Sequence, residues 1–232
     1  MSYTKRFDGR KFDELRDIKV ELGVVKNADG SALFSFGDTI AIAAVYGPRT
    51  MHPQHKQDAK KGTLRVSYDM LSFSVTERKK PGISRRSQEI SKVTEWALAP
   101  VIDLEQFPNT VVDVFIQVIQ ANASTRCAGI NAAAIALAAA GLPMKDMITA
   151  VSIGKIGDKI CADIIKEEED YEEGATDIPF AMLNKTKEIT LLQLDGEVST
   201  DELKEAYSMA KKVCEEIYEK QKEALKKIKE TQ

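Results

Sequence analysis

Histidine is nearly absent from this 232-residue chain, with His52 and His55 the only two. They stand three apart in a polar stretch with no third ligand nearby, which argues against a histidine-built metal centre. Cysteine is scarce as well. Cys127, Cys161 and Cys214 are odd in number and far apart, without paired metal-type spacing, and are expected to be reduced thiols of an intracellular protein. No apolar run approaches the roughly 18–20 residues that a membrane span requires. The opening Met1-Ser2-Tyr3-Thr4-Lys5-Arg6 lacks the apolar stretch of a secretory signal, so a cytoplasmic location is expected. A P-loop, a GxSxG elbow and a dinucleotide-binding glycine fingerprint are all missing, which removes the commonest nucleotide-binding and hydrolase classes.

Hydrophobic residues make up 43% of the chain, enough for one sizeable core or two small lobes. A net charge of −3 argues against a protein that coats nucleic acid indiscriminately. The distribution is uneven. Residues 1–90 carry 17 Lys and Arg against 11 Asp and Glu, whereas the remainder carries 16 against 25. Such asymmetry suits a basic track for a polyanion on one side and an acidic surface on the other, although it also occurs in proteins that touch no nucleic acid.

Residues 18–25, 32–36 and 39–46 read as a β-meander, joined at Lys26-Asn27-Ala28-Asp29-Gly30 and Gly37-Asp38, with Gly47-Pro48 closing the third strand. Residues 49–63 are polar and basic without apolar period and read as a loop, and 64–75 as a strand region. Ser84 caps a predicted helix reaching about Leu98. Residues 111–120 alternate clearly as a strand, and an Ala-rich helix from about Cys127 to Ala140 stops at Gly141. Strands at 148–154, 159–165, 179–183 and 189–194 follow. A long last helix opens on a capping box, Ser199 to Glu202. Strands followed by a helix, twice over, predict an α+β chain of two lobes related by duplication, 1–145 and 146–232, packed as one unit.

Three segments can carry chemistry. Gln120-Ala121-Asn122-Ala123-Ser124-Thr125-Arg126 lies between a strand and a helix N-terminus. There, free amides and the helix dipole favour an anion, hydroxyls add donors, and Arg126 adds a fork suited to phosphate. The plainer alternative is a capped helix with a surface arginine. In Arg78-Lys79-Lys80-Pro81-Gly82-Ile83-Ser84-Arg85-Arg86, five of nine residues are basic. Arg85 and Arg86 open a helix at its positive end, a placement that local electrostatics opposes and an external anion would offset; a solvated basic loop is the alternative. The acidic run Glu167-Glu168-Glu169-Asp170, with Glu172-Glu173, reads mostly as solvated surface. Asp177 differs, because apolar Ile178-Pro179-Phe180 follows it. A carboxylate at such a strand mouth can donate a proton or hold a divalent cation.

Taken together these segments resemble the RNase PH family, in its archaeal exosome branch, from about Arg6 to Ala224. The landmarks are Arg6-Phe7-Asp8-Gly9-Arg10, Ala28-Asp29-Gly30-Ser31-Ala32, Ala44-Val45-Tyr46-Gly47-Pro48, Phe73-Ser74-Val75-Thr76-Glu77-Arg78-Lys79, Arg86-Ser87-Gln88-Glu89-Ile90 and the Ala-Ser-Thr-Arg turn. The resemblance implies an RNase PH-like fold of two ββαβα-type lobes, like domain 2 of ribosomal protein S5. It implies 3′→5′ exoribonuclease activity by phosphorolysis, with inorganic phosphate as co-substrate. Ser124, Thr125 and Arg126 would bind the attacking phosphate, with Arg86 and Arg85 on the RNA's terminal phosphates. Asp177 and Asp170 would be the catalytic carboxylates, or ligands of Mg2+ or Mn2+. Arg65 and Tyr68 would meet the incoming single-stranded RNA, Tyr68 by stacking on a base, and Lys60 and Lys61 would line a pore. The implied partners are a catalytically inactive RNase PH-like paralogue, alternating with this chain in a six-membered ring, and RNA-binding cap proteins.

Two departures accompany the resemblance. The family turn generally has glycine before its Ser/Thr-Arg pair, where this chain has Ala123-Ser124. Asp170 and Asp177 stand seven apart, one residue longer than usual. The alternatives are a homohexameric RNase PH trimming tRNA, which the same residues would carry; a non-catalytic RNA-binding ring subunit, against which the joint presence of Arg86, Arg126 and Asp177 counts; and a ribosomal-protein-like RNA-binding module, which needs no phosphate pocket.

Overall fold

The structure, a computed structural model, describes residues 3–77, 79–171 and 174–231. Arg78, Glu172 and Glu173, which belong to the charged runs above, lie outside the described residues. Strands β1 (Ile18–Leu22), β2 (Gly30–Phe36), β3 (Thr39–Thr50), β4 (Thr63–Met70) and β5 (Thr110–Gln120) form one sheet in the order β1-β2-β3-β5-β4. Strands β6 (Ile148–Ile156), β7 (Lys159–Ala162), β8 (Ala175–Leu183) and β9 (Ile189–Leu192) form a second, in the order β7-β6-β8-β9. Helices α1 (Arg85–Leu98), α2 (Thr125–Ala139), α3 (Lys166–Glu169) and α4 (Thr200–Thr231) complete the α+β architecture. The α+β class expected from the sequence is the class observed.

Helix α2 is buried on every side from Cys127 to Leu137, because it packs between the two sheets. An all-round apolar helix has no solvent face to offer, and its small alanines let both sheets approach closely. The approach fixes Gly30: a Cβ there would lie 2.4 Å from the Ala136 carbonyl oxygen. Asn131 on α2 joins the layers. Its side chain pairs with both backbone groups of Ala150 on β6 (2.7 and 3.0 Å) and accepts from Gln221 of α4 at 3.0 Å. No described helix is long and apolar enough to cross a membrane.

Local signals set the helix starts. Ser84 accepts from the Ser87 amide at 3.0 Å, and its own amide donates to the Ser87 hydroxyl at 2.8 Å. Ser199 and Glu202 reciprocate in the same way at the start of α4. Several strand expectations need correction: the first strand stops at Leu22, the one expected over 159–165 at Ala162 and the last at Leu192, and the one expected from 179 begins at Ala175. Strand β3 does not end at Gly47-Pro48 but continues to Thr50 past a register shift between Tyr46 and Arg49. The region expected as a strand from 64 to 75 stops at Met70 and runs parallel to β5 through the α1 crossover, so the first lobe is not a simple meander.

Candidate active site

Strand β5 delivers the chain to turn 121–124 and then into α2, whose first turn opens on a cleft of about 1140 Å³ between the lobes. The cleft is lined by Arg86 from the start of α1, by Ser124, Thr125 and Arg126, by Asp177 from β8, and by Glu169 and Asp170 at the end of α3. Side chains separated by about ninety positions in sequence therefore meet at one place.

The arginines are cationic in different settings. Arg86 is exposed and makes no ion pair among the described residues, so its charge is available to an anion. Arg126 is mostly enclosed: it donates to Gln193 beyond β9 and lies 3.8 Å from the Glu89 carboxylate of α1, while its Nε is buried without a partner. A buried donor left unpaired is costly unless a ligand completes it. Both guanidiniums act on the Tyr68 hydroxyl, whose pKa burial raises and whose ionisation those two charges favour.

Asp177 is the third residue of β8, in register with Gly154 of β6, and does not stand ahead of the strand as the sequence suggested. Burial raises its pKa, the hydrogen bond from Ser152 of β6 opposes the rise, the Glu169 and Asp195 charges add to it, and Arg126 opposes it. A buried carboxyl whose pKa is raised is suited to act as a general acid. Asp170 lines the cleft but is exposed, with its carboxylate on Lys166 at 2.7 Å. Among the described carboxylates, Glu169 acts more strongly on Asp177 than Asp195 does. It had been grouped with solvated surface charge, and only folding reveals its place. Among the described residues no three His, Cys, Asp or Glu side chains are arranged to hold a metal by themselves.

Turn 121–124 has an unusual backbone. Ala123 and Ser124 both adopt left-handed conformations (φ 54° and 52°), where a Cβ is disfavoured. Three ties hold it. The Thr39 hydroxyl meets Asn122 and Ala123 backbone groups within 3.0 Å. Arg16 donates to the Asn122 carbonyl at 2.7 Å. The Ser124 hydroxyl is directed at the Asp163 carboxylate (3.1 Å) and the Ile164 carbonyl (3.2 Å), both acceptors, so it is not pointed freely at the cleft. Ser124 was expected to donate this hydroxyl to phosphate. Thr125, 8% exposed, begins α2 beside it.

Asp163 is fully buried and receives Arg16 in a two-pronged pair (2.8 and 2.6 Å) and Arg10 at 3.4 Å. Burial would raise its pKa, but the Arg16 hydrogen bonds and charge hold it below the usual carboxylate range. Deeper still, Arg6 forks onto Glu168 (2.8 and 2.7 Å), which also accepts from the Tyr3 hydroxyl at 2.7 Å. Neither Arg6 nor Glu168 has an exposed side-chain atom. The sequence alone assigns residues 6–10 no role and places Glu168 on the surface. Together they bind the N-terminal segment to the second lobe.

The remaining expected contacts fall elsewhere. Tyr68 is 3% exposed, because β4 alternation turns Leu64 and Tyr68 into the core and Arg65 outward; its ring face is not presented to a base. Arg65 is paired with Asp113 (2.6 and 2.9 Å) on the outer face of the first sheet, away from the cleft lining. Arg85, Lys60 and Lys61 are exposed and do not line the cleft, the lysines lying in loop 51–62.

An α+β molecule of two sheets about a central helix places two arginines and a buried carboxyl of raised pKa on one cleft, a setting suited to an anionic ligand. The chain belongs to the 3′ exoribonuclease family: domain 1 of that family matches residues 14–143 and domain 2 matches residues 146–213. It is 54% identical over 222 residues to the exosome complex component Rrp41 of Thermococcus kodakarensis, a match covering 96% of this chain and 88% of that protein. To the Rrp41 of Methanopyrus kandleri it is 49% identical over 221 residues, or 95% and 92% of the two chains. Among solved structures, rice Rrp46 superposes with a TM-score of 0.85 at 25% identity, covering 95% of this chain and all of that one. A chain of the Archaeoglobus fulgidus exosome with RNA bound to the active site superposes at 0.80 and 22%, covering 93% and 92%, a likeness of fold.

Proposed function

We propose that this chain is the catalytic subunit of an archaeal exosome ring and shortens single-stranded RNA from its 3′ end by phosphorolysis. The observation that carries the reading is the convergence of Arg86, Arg126 and Asp177 on one cleft. An oxygen of inorganic phosphate attacks the last internucleotide phosphorus, and the bond from that phosphorus to the preceding 3′ oxygen breaks. The nucleoside diphosphate leaves, and the shortened strand's 3′ oxygen takes its proton from Asp177. The reverse reaction extends tails.

The chain's residues do this by placement and charge. Arg126 and the amides at the start of α2 hold the attacking phosphate, and the partnerless Nε of Arg126 supports that role. Arg86 neutralises the scissile linkage, with Arg85 available to the strand beyond. A Mg2+ or Mn2+ ion, where used, would be held by Asp177 with Asp170 or Glu169 and by substrate phosphate oxygens, the mode common for hard cations with few protein ligands. The likeness to Rrp41 proteins supports an inactive RNase PH-like paralogue as ring partner, RNA-binding cap proteins on one face, and a cytoplasmic location. Lys60 and Lys61 would then meet RNA as it threads the ring.

The test is to incubate the purified chain, alone and with its paralogue, with single-stranded RNA plus and minus phosphate. Nucleoside diphosphates released only with phosphate are the expected products. Nucleoside monophosphates released without it would refute phosphorolysis.

A further inference from the structure

The Ser124 hydroxyl has one proton and two neighbours, Asp163 Oδ1 and the Ile164 carbonyl, that can only accept it. While that bond stands, the hydroxyl has no proton for a phosphate oxygen. Asp163 is held by the Arg16 fork, and Arg16 also grips the Asn122 carbonyl two residues before Ser124. The grip closes around two consecutive non-glycine residues in left-handed conformation, which persist only where their surroundings over-determine them. Asp163 itself has φ 51°. Its amide donates to the Ser152 carbonyl at 2.8 Å, and Ser152 is the donor to Asp177.

The geometry points to Ser124, Asp163 and Arg16 as a strut: the second lobe, through Asp163, sets the backbone of the phosphate turn in the first, and Ser124 serves the phosphate by fixing that backbone instead of donating its hydroxyl. The inference rests on the phosphorolytic reading and adds positioning residues to it. Through Ser152 the same strut aligns the phosphate turn with the acid, so one buried junction spaces the nucleophile's subsite from the proton donor.

Ser124→Ala and Ser124→Gly separate the two roles, because both lose the hydroxyl while only glycine enters the left-handed region without steric cost. Phosphate KM and RNA affinity are measured for each in the active assembly. The strut predicts that alanine raises phosphate KM about tenfold. It predicts that glycine recovers about fivefold or more of that loss, with RNA affinity the same in both. Equal rises in the two variants would make the hydroxyl a direct phosphate donor and overturn the strut, as would an alanine variant with wild-type phosphate KM. Failure of the underlying reading is distinct: the wild-type chain itself would show no phosphate dependence.

Discussion

Ser152 on β6 donates its hydroxyl to Asp177 on β8, across two neighbouring antiparallel strands of the second sheet. The bond orients the carboxyl toward the cleft, while burial and the Glu169 charge keep its pKa above the ordinary aspartate value.

Asp177→Asn removes the acid with little change of shape. Release of nucleoside diphosphates should fall by roughly 100-fold or more, the range in which positioned acid–base groups contribute. RNA binding, measured by filter retention, should persist. A variant releasing products at the wild-type rate would move the acid elsewhere.

The sign of the pH dependence follows from the raised pKa. A general acid works while protonated, so the rate should fall as pH rises through the Asp177 value. Glu169→Gln removes a like charge and should lower that value, shifting the falling limb to lower pH. The check is a rate profile of both proteins with phosphate saturating at each pH.

Arg126→Ala should raise phosphate KM by about 10- to 100-fold, the weight of a charge-assisted bond. Arg126→Lys keeps the charge but loses the fork, and should recover only part. Titrating phosphate at fixed RNA measures both.

Arg6→Ala strands a buried carboxylate. Unfolding in denaturant at pH 7 should show a loss of about 3–5 kcal/mol. Glu168 and Asp163 have pKa values held low in the fold by their arginines. Their contribution is therefore fully present above the ordinary carboxylate range, about pH 4, and is lost as pH falls through the folded values. Acid titration of stability should show this loss, and less of it in the Arg6 variant.

Tyr68→Ala empties a core site and should cost about 3–5 kcal/mol, whereas Tyr68→Phe should leave RNA affinity unchanged. A specific loss of RNA binding in the phenylalanine variant, at wild-type stability, would return the residue to the RNA path.

What was legible in the sequence was whatever is encoded locally. Ser84 and Ser199 announce their helices because a cap is satisfied within three residues, and the Ala-rich run of α2 announces its own burial. The parallel pairing of β4 with β5 was not legible, since it depends on where α1 lays the returning chain. Arg86, Arg126 and Asp177 carry separate, scattered signals in the sequence, and the fold brings them into one cleft. Tyr68 could have been read better: the alternation from Leu64 to Met70 already turns it inward, and the resemblance outweighed that pattern. Glu168 could not be found by local reading, because a carboxylate in an acidic run looks solvated until an arginine 162 positions earlier encloses it; Asp163, inside the strand expected at 159–165, carries no local sign of Arg16, 147 positions earlier.

The pairing of Arg6 with Glu168 spans 162 positions, and that of Arg16 with Asp163 spans 147. Synthesis runs from the amino terminus, so the first sheet and α2 leave the ribosome well before the residues that complete turn 121–124. A growing chain can shape its first half early yet has no finished anion turn. The turn is completed late, when the residues around 163–168 arrive.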